Sequence, residues 1–229
     1  MKRIALVLFA TVSMMATAQT LQEKQIPQIN VSGEGKVYVT PDEAVITIGV
    51  ENIGSDANDV KKKNDAAIDA IIKYLKGAKV PEKDYQTKRV SLNRNYDYDK
   101  KKYSFVASQQ IVIHLKDLSK YDALMMGVVD AGANNINGVE FRTSKQAQYE
   151  SEARVLAIAN AKKKAGDYAG ALGQAVGKAL LVTDNTQTYY PVPMMRAEFK
   201  SMADGAPMET LAVGEIVVTA NVNISYELK

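Results

Sequence analysis

Along residues 29–40, INVSGEGKVYVT, every second position is apolar or glycine. Ile29, Val31, Gly33, Gly35, Val37 and Val39 share one face, and Asn30, Ser32, Glu34, Lys36, Tyr38 and Thr40 share the other. Period two over twelve residues predicts a half-buried strand. Pro41 and Asp42 interrupt it, and AVITIGVEN (44–52) resumes the alternation with Ala44, Ile46, Ile48 and Val50 inward. The two strands read as a hairpin. The period then changes to that of a helix: Val60, Asn64, Ala67, Ile68, Ile71 and Leu75 recur at helical spacing, with Ser55 as the expected N-cap and Gly77 as the left-handed C-terminal cap.

A second hairpin is predicted over residues 85–95 and 103–115, with the polar turn YDYDKKK and its surface tyrosines Tyr96, Tyr98 and Tyr103 at the tip. Asp117 caps a shorter helix striped by Leu118, Tyr121, Leu124, Met125 and Val128. DAGANNINGVEFRT (130–143) follows, holding three asparagines and two glycines within 132–140. Taken alone it is a candidate polar site. In context, Gly132 suits a left-handed helix cap, Asn134, Asn135, Asn137 and Gly138 suit a chain reversal, and Val139 opens a strand. Residues 144–173 form the longest predicted helix, with Tyr149, Ala153, Leu156, Ala157, Ala161, Ala165, Tyr168 and Leu172 on its buried side. So many alanines permit close approach to a sheet, and Gly33 and Gly35 leave room for it. A short strand is predicted at 178–185. Periodicity then disappears over 186–213, which carries three prolines and four methionines, and a clean strand closes the chain at 215–228.

The order ββ-α-ββ-α-β-α-β-β predicts an α+β fold: antiparallel or mixed sheets packed against three helices, with the C-terminal strand returning to the N-terminal sheet. Two sub-structures are expected, one built from 28–116 plus 214–229 and the other from 117–186, with a variable loop at 187–213.

Ahead of all this, residues 1–18 read as a cleavable signal peptide. Lys2 and Arg3 precede a mostly apolar run of twelve, and Ala16-Thr17-Ala18 supplies the small-x-small cleavage pattern before Gln19. The run is shorter than the roughly 20 apolar residues a membrane span needs. Residues 19–27 form a flexible leader, and the processed domain covers 28–229. Periplasmic export without an integral membrane segment is the expectation. Processing leaves 27 basic against 26 acidic residues, a net charge of +1, so nothing in the balance calls for nucleic acid. The absence of cysteine removes thiol nucleophiles, thiolate metal sites and disulfides together. His114 is the only histidine and alternates within a strand, so zinc sites and Ser-His-Asp catalysis both lack parts. Gly33-Glu34-Gly35 lies inside a strand rather than before a helix, which excludes a phosphate loop. No catalytic, cofactor-binding or metal residue is assigned, and a non-catalytic protein is expected.

Five stretches carry a resemblance: VSGEGKVYVTPDEAVITIGVE, QTKRVSLNRNY, GANNINGVEF, ARVLAIANAKKKAGDYAGALG and GEIVVTANVNISYEL. In this order they make the chain similar to the SIMPL-domain family, whose bacterial members include periplasmic immunogenic and oxidative-stress-defence proteins. The resemblance implies an α+β fold and, in some members, large homo-oligomers. It brings no catalytic residue set with it. The expected role is an envelope protein acting as a homo-oligomer in oxidative or envelope stress. The alternative is a module that binds a peptide or another envelope protein through the 186–213 loop or a sheet edge.

Overall fold

The computed structural model describes residues 26–99, 101–186 and 211–229. The expected signal peptide with Ala16, Ala18 and Gln19, most of the expected leader, and all but the last three residues of the expected 187–213 loop lie outside them. Two antiparallel sheets and three helices make the α+β fold expected from the sequence. The strands are β1 (Gln28–Val39), β2 (Glu43–Gly54), β3 (Tyr85–Asp97), β4 (Lys102–Leu115), β5 (Asn135–Arg142), β6 (Val176–Asp184) and β7 (Ile216–Leu228). The helices are α1 (Ala57–Gly77), α2 (Tyr121–Asp130) and α3 (Gln146–Ala171).

One sheet has the order β1-β7-β6, the other β3-β4-β2-β5. The terminal strand therefore returns to the first strand, in the register Gln28↔Glu227 to Val39↔Ile216. The expected β1–β2 hairpin does not form, because Pro41 and Asp42 carry the chain from one sheet to the other. The expected grouping of elements changes with it: β5 joins the strands of residues 43–115, while β6 and α3 join β1 and β7. Local alternation marks a strand's inner face but is silent about which neighbour will share its backbone bonds.

In the three-stranded sheet, α3 lies over β1 and β7. A methyl carbon at Gly33 would stand 2.0 Å from the Ala157 carbonyl oxygen, and one at Gly35 2.0 Å from that of Ala153. Strand and helix backbones touch there, so the helix buries only alanines: Ala153, Ala157, Ala161, Ala165 and Ala169. Leu156, Tyr168 and Leu172, expected on the buried side, are exposed, since a contact this close leaves no depth for large side chains.

The four-stranded sheet is packed conventionally. Ile46, Ile48 and Val50 of β2 and Ile111 and Ile113 of β4 are buried, as are Val60, Ile68, Ile71 and Leu75 of α1. Asn64, also on the buried side of α1, donates to the carbonyls of Val50 (2.9 Å) and Ala107 (3.2 Å). Asp56, rather than Ser55, caps α1 by accepting the Asp59 amide at 2.9 Å. The helix closes through Lys79, at φ 59, instead of Gly77, with the Val80 amide reaching the Leu75 carbonyl at 3.0 Å.

Candidate functional site

The asparagine-glycine stretch sits at the boundary of the four-stranded sheet. Gly132, at φ +118, ends α2 as expected, with Gly132 N–H to Val129 and Ala133 N–H to Val128, both 2.9 Å. The reversal expected from Asn134 to Gly138 is overturned: β5 begins at Asn135, four residues early, and pairs at once with β2. The Asn134 side chain is the reason. Its carboxamide accepts the Glu51 amide at 2.8 Å and donates to the Glu51 carbonyl at 2.7 Å, while its own amide bonds to Gly49 at 3.1 Å. It completes the backbone bonds a strand neighbour would make, so no separate turn is needed. Asn137 is the extra residue of a bulge opposite Thr47 and Ile48, and Gly138 follows at φ +141.

A bulge also interrupts β3 between Thr87 and Arg89, at Lys88. The two bulged edge strands flank the rung Thr47–Val112 on the face opposite α1. They form a trough of about 530 Å³ floored by Val45, Thr47 and Val112 and walled by Gln86 and Lys88 on one side and Asn137 to Glu140 with Arg142 on the other. His114 lies in register with Val45, its Nε2 at 2.9 Å from the Glu43 carboxylate. Lys116 donates to both oxygens of buried Asp84 at 2.7 Å. That hydrogen bond holds the Asp84 carboxyl below the usual carboxylate range against the opposing effect of burial. Arg142 pairs with Glu140 at 3.0 Å. Three charge pairs therefore stand at this end of the sheet, while Lys88 on the trough wall has no acidic partner among the described residues. Asp42, at the sheet-to-sheet crossover, accepts the Ser144 amide (2.7 Å) and hydroxyl (2.6 Å). Burial pushes its carboxyl up, but the bonds from Ser144 and Thr143 outweigh this and leave it lowered.

At the opposite end, the β3–β4 hairpin runs past the last β2 pair, Gly54↔Phe105. Its tyrosines are exposed as expected and form a cluster: Tyr96 stands 5.0 Å from Tyr98 and 4.9 Å from Tyr103, and the Arg94 guanidinium lies 4.4 Å from the Tyr103 ring centroid. The methionines of the 186–213 segment lie outside the described residues.

The four sheet edges differ. On β1, α3 side chains occupy the backbone: Asn160 accepts the Glu34 amide (3.2 Å) and Lys164 donates to the Ser32 carbonyl (2.9 Å). β6 shifts register twice against β7, and β5 is short and bulged. β3 runs in unbroken register from Arg89↔Gln110 to Asp97↔Lys102, and among the described residues no backbone hydrogen bond other than those to β4 reaches residues 89–96. Residues 85–96, YQTKRVSLNRNY, contain Lys88, Arg89 and Arg94 and no acid. The signal for this run, a basic strand without acids, lies in the sequence itself just ahead of the tyrosine-rich hairpin tip. Among the described residues there is no group of three or more acidic or histidine side chains able to hold a metal ion, and no helix long and apolar enough to cross a membrane.

A family model described as "SIMPL: Protein of unknown function (DUF541)" matches residues 29–226. The 26 kDa periplasmic immunogenic protein of Brucella melitensis is 25% identical over 235 residues, covering 98% of this chain and 94% of the relative. Uncharacterized protein YggE of Escherichia coli (strain K12) is 28% identical over 231 residues, covering 100% and 94%. The YggE of Edwardsiella ictaluri is 27% identical over 203 residues, covering 86% and 85%.

Proposed function

Because the chain belongs to the SIMPL family, we propose that it serves the bacterial envelope as a non-catalytic protein that works through its surfaces, assembled as a homo-oligomer, in defence against oxidative or other envelope stress. The supporting observation is that the histidine and two of the cations at the trough end of the sheet are each paired with a carboxylate. His114 faces Glu43, Lys116 faces Asp84 and Arg142 faces Glu140. The periplasmic name of the Brucella relative supports the compartment. Light scattering on the processed chain tests the assembly, and a strict monomer at tens of micromolar counts against it. Turnover abolished by a single Asp or Glu substitution would overturn the non-catalytic part.

A second reading, a module that captures a peptide or another envelope protein, is favoured by the open β3 edge. Removing residues 189–210 separates loop-borne capture from the rest: capture lost with assembly intact assigns it to that segment, and capture retained leaves it with the sheet.

A further inference from the structure

An edge strand offers the N–H and C=O of every second residue to a newcomer, and proteins ordinarily blunt such edges. Three of the four edges here are blunted by side-chain bonds, by register shifts or by shortness combined with a bulge. The fourth is β3, regular over residues 89–97. Lys88 and Arg89 adjoin at its bulge, and neither has an acidic partner among the described residues. On the side facing α1's layer, Val90 and Leu92 are 66% and 46% exposed, too far from α1 for it to cover them.

We propose that β3 takes an acidic, extended polypeptide segment as an added strand. Backbone bonds would supply the register, carboxylates would meet Lys88 and Arg89, and an apolar residue would meet Val90 and Leu92. The inference rests on the binding reading above and is independent of self-assembly. A second copy of β3 is the poorer occupant, because antiparallel pairing would bring two basic, acid-free runs of residues 85–96 together.

The test is hydrogen exchange and affinity measured on the purified full protein. The probe is a capped octapeptide alternating glutamate and valine, compared with its lysine-valine counterpart. The expected result is binding of the acidic peptide at least about tenfold tighter than the basic one. Slowed exchange should be confined to residues 86–97, and N-methylation of alternate peptide amides should abolish binding. The exposed double variant K88E/R89E, checked for folding by circular dichroism, should invert the preference. Equal affinity for both peptides, or binding without protection of β3, overturns the proposal. Dextran sulfate protecting β3 as well as the peptide does overturns it too, since a polyanion would then suffice. Concentration-dependent protection without peptide hands the edge to a second copy and has the same consequence. Light scattering on the same samples reports assembly separately, so failure of the peptide to bind and failure to oligomerise are distinguishable.

Discussion

The first and third strands are both long sheet edges, yet one is sealed and the other open. On β1 the helix comes so close that Asn160 and Lys164 reach past their own alanines to the strand's spare backbone groups. On β3 the nearest helix lies over β2 and β4 instead, and the outer strand keeps its polar backbone and two apolar side chains in solvent. The difference begins with two missing side chains. Gly33 and Gly35 let a helix descend to backbone contact, whereas β4, the neighbour of β3, presents Ile111 and Ile113, which hold α1 at side-chain distance. Close packing consumes an edge as a by-product, and ordinary packing leaves it available.

The largest way to break this contrast is Gly33→Ala, because the added carbon meets the Ala157 carbonyl oxygen, part of a helix backbone that has nowhere to move. A loss of about 3 kcal/mol is expected from denaturant unfolding. Gly49→Ala in the other sheet is the control. Its carbon meets the Asn137 side-chain amide at 3.0 Å, a group free to swing away, and the cost should stay under about 1 kcal/mol. A loss at Gly49 equal to that at Gly33 would remove the distinction between the sheets. Next in size, replacing Asn160 and Lys164 together by alanine should cost about 1 kcal/mol. It should also speed exchange of the Glu34 amide and raise aggregation, since β1 would become a second open edge. Unchanged exchange at Glu34 would mean the two side chains do not seal the strand.

The smallest effect concerns pH. Asp84 has its carboxyl lowered by Lys116, so its stabilisation is present above the ordinary carboxylate pKa and disappears as pH falls through the lowered one. The difference in denaturation midpoint between the protein and Asp84→Asn should be full at pH 7 and close progressively below about pH 4. A difference that persists there would place the effect in packing, not charge.

Strand and helix identities were legible because alternation and helical spacing are local, and the α+β class follows from them. The glycine-alanine contact was legible too, since small residues on both partners state how near they can come. Partnership was not: nothing local in β1 tells that its neighbour is the last strand and not the next. The asparagine stretch misled for a similar reason. Asn134 tolerates a turn, but here its carboxamide imitates a backbone, and the Glu51 it bonds is 83 residues away. As for the surface readings, the pairing of His114 with Glu43 depends on a strand register, and the open edge depends on which strands α1 and α3 leave uncovered. Only the acid-free run of residues 85–96 was written in the chain itself.

The register Gln28↔Glu227 also fixes an order of events during synthesis. Every strand of the four-stranded sheet lies within residues 43–142, so that sheet has all its parts before residues 143–229 are made. The first described strand to emerge is the last to find its place, since among the described residues its sole strand partner is the last one made. Until Ile216–Leu228 arrives, Gln28–Val39 is an unpaired strand rich in β-branched residues, closing a contact across nearly the entire sequence, the kind that folds slowly. A chain cut short before residue 216 would therefore lose its beginning as well as its end.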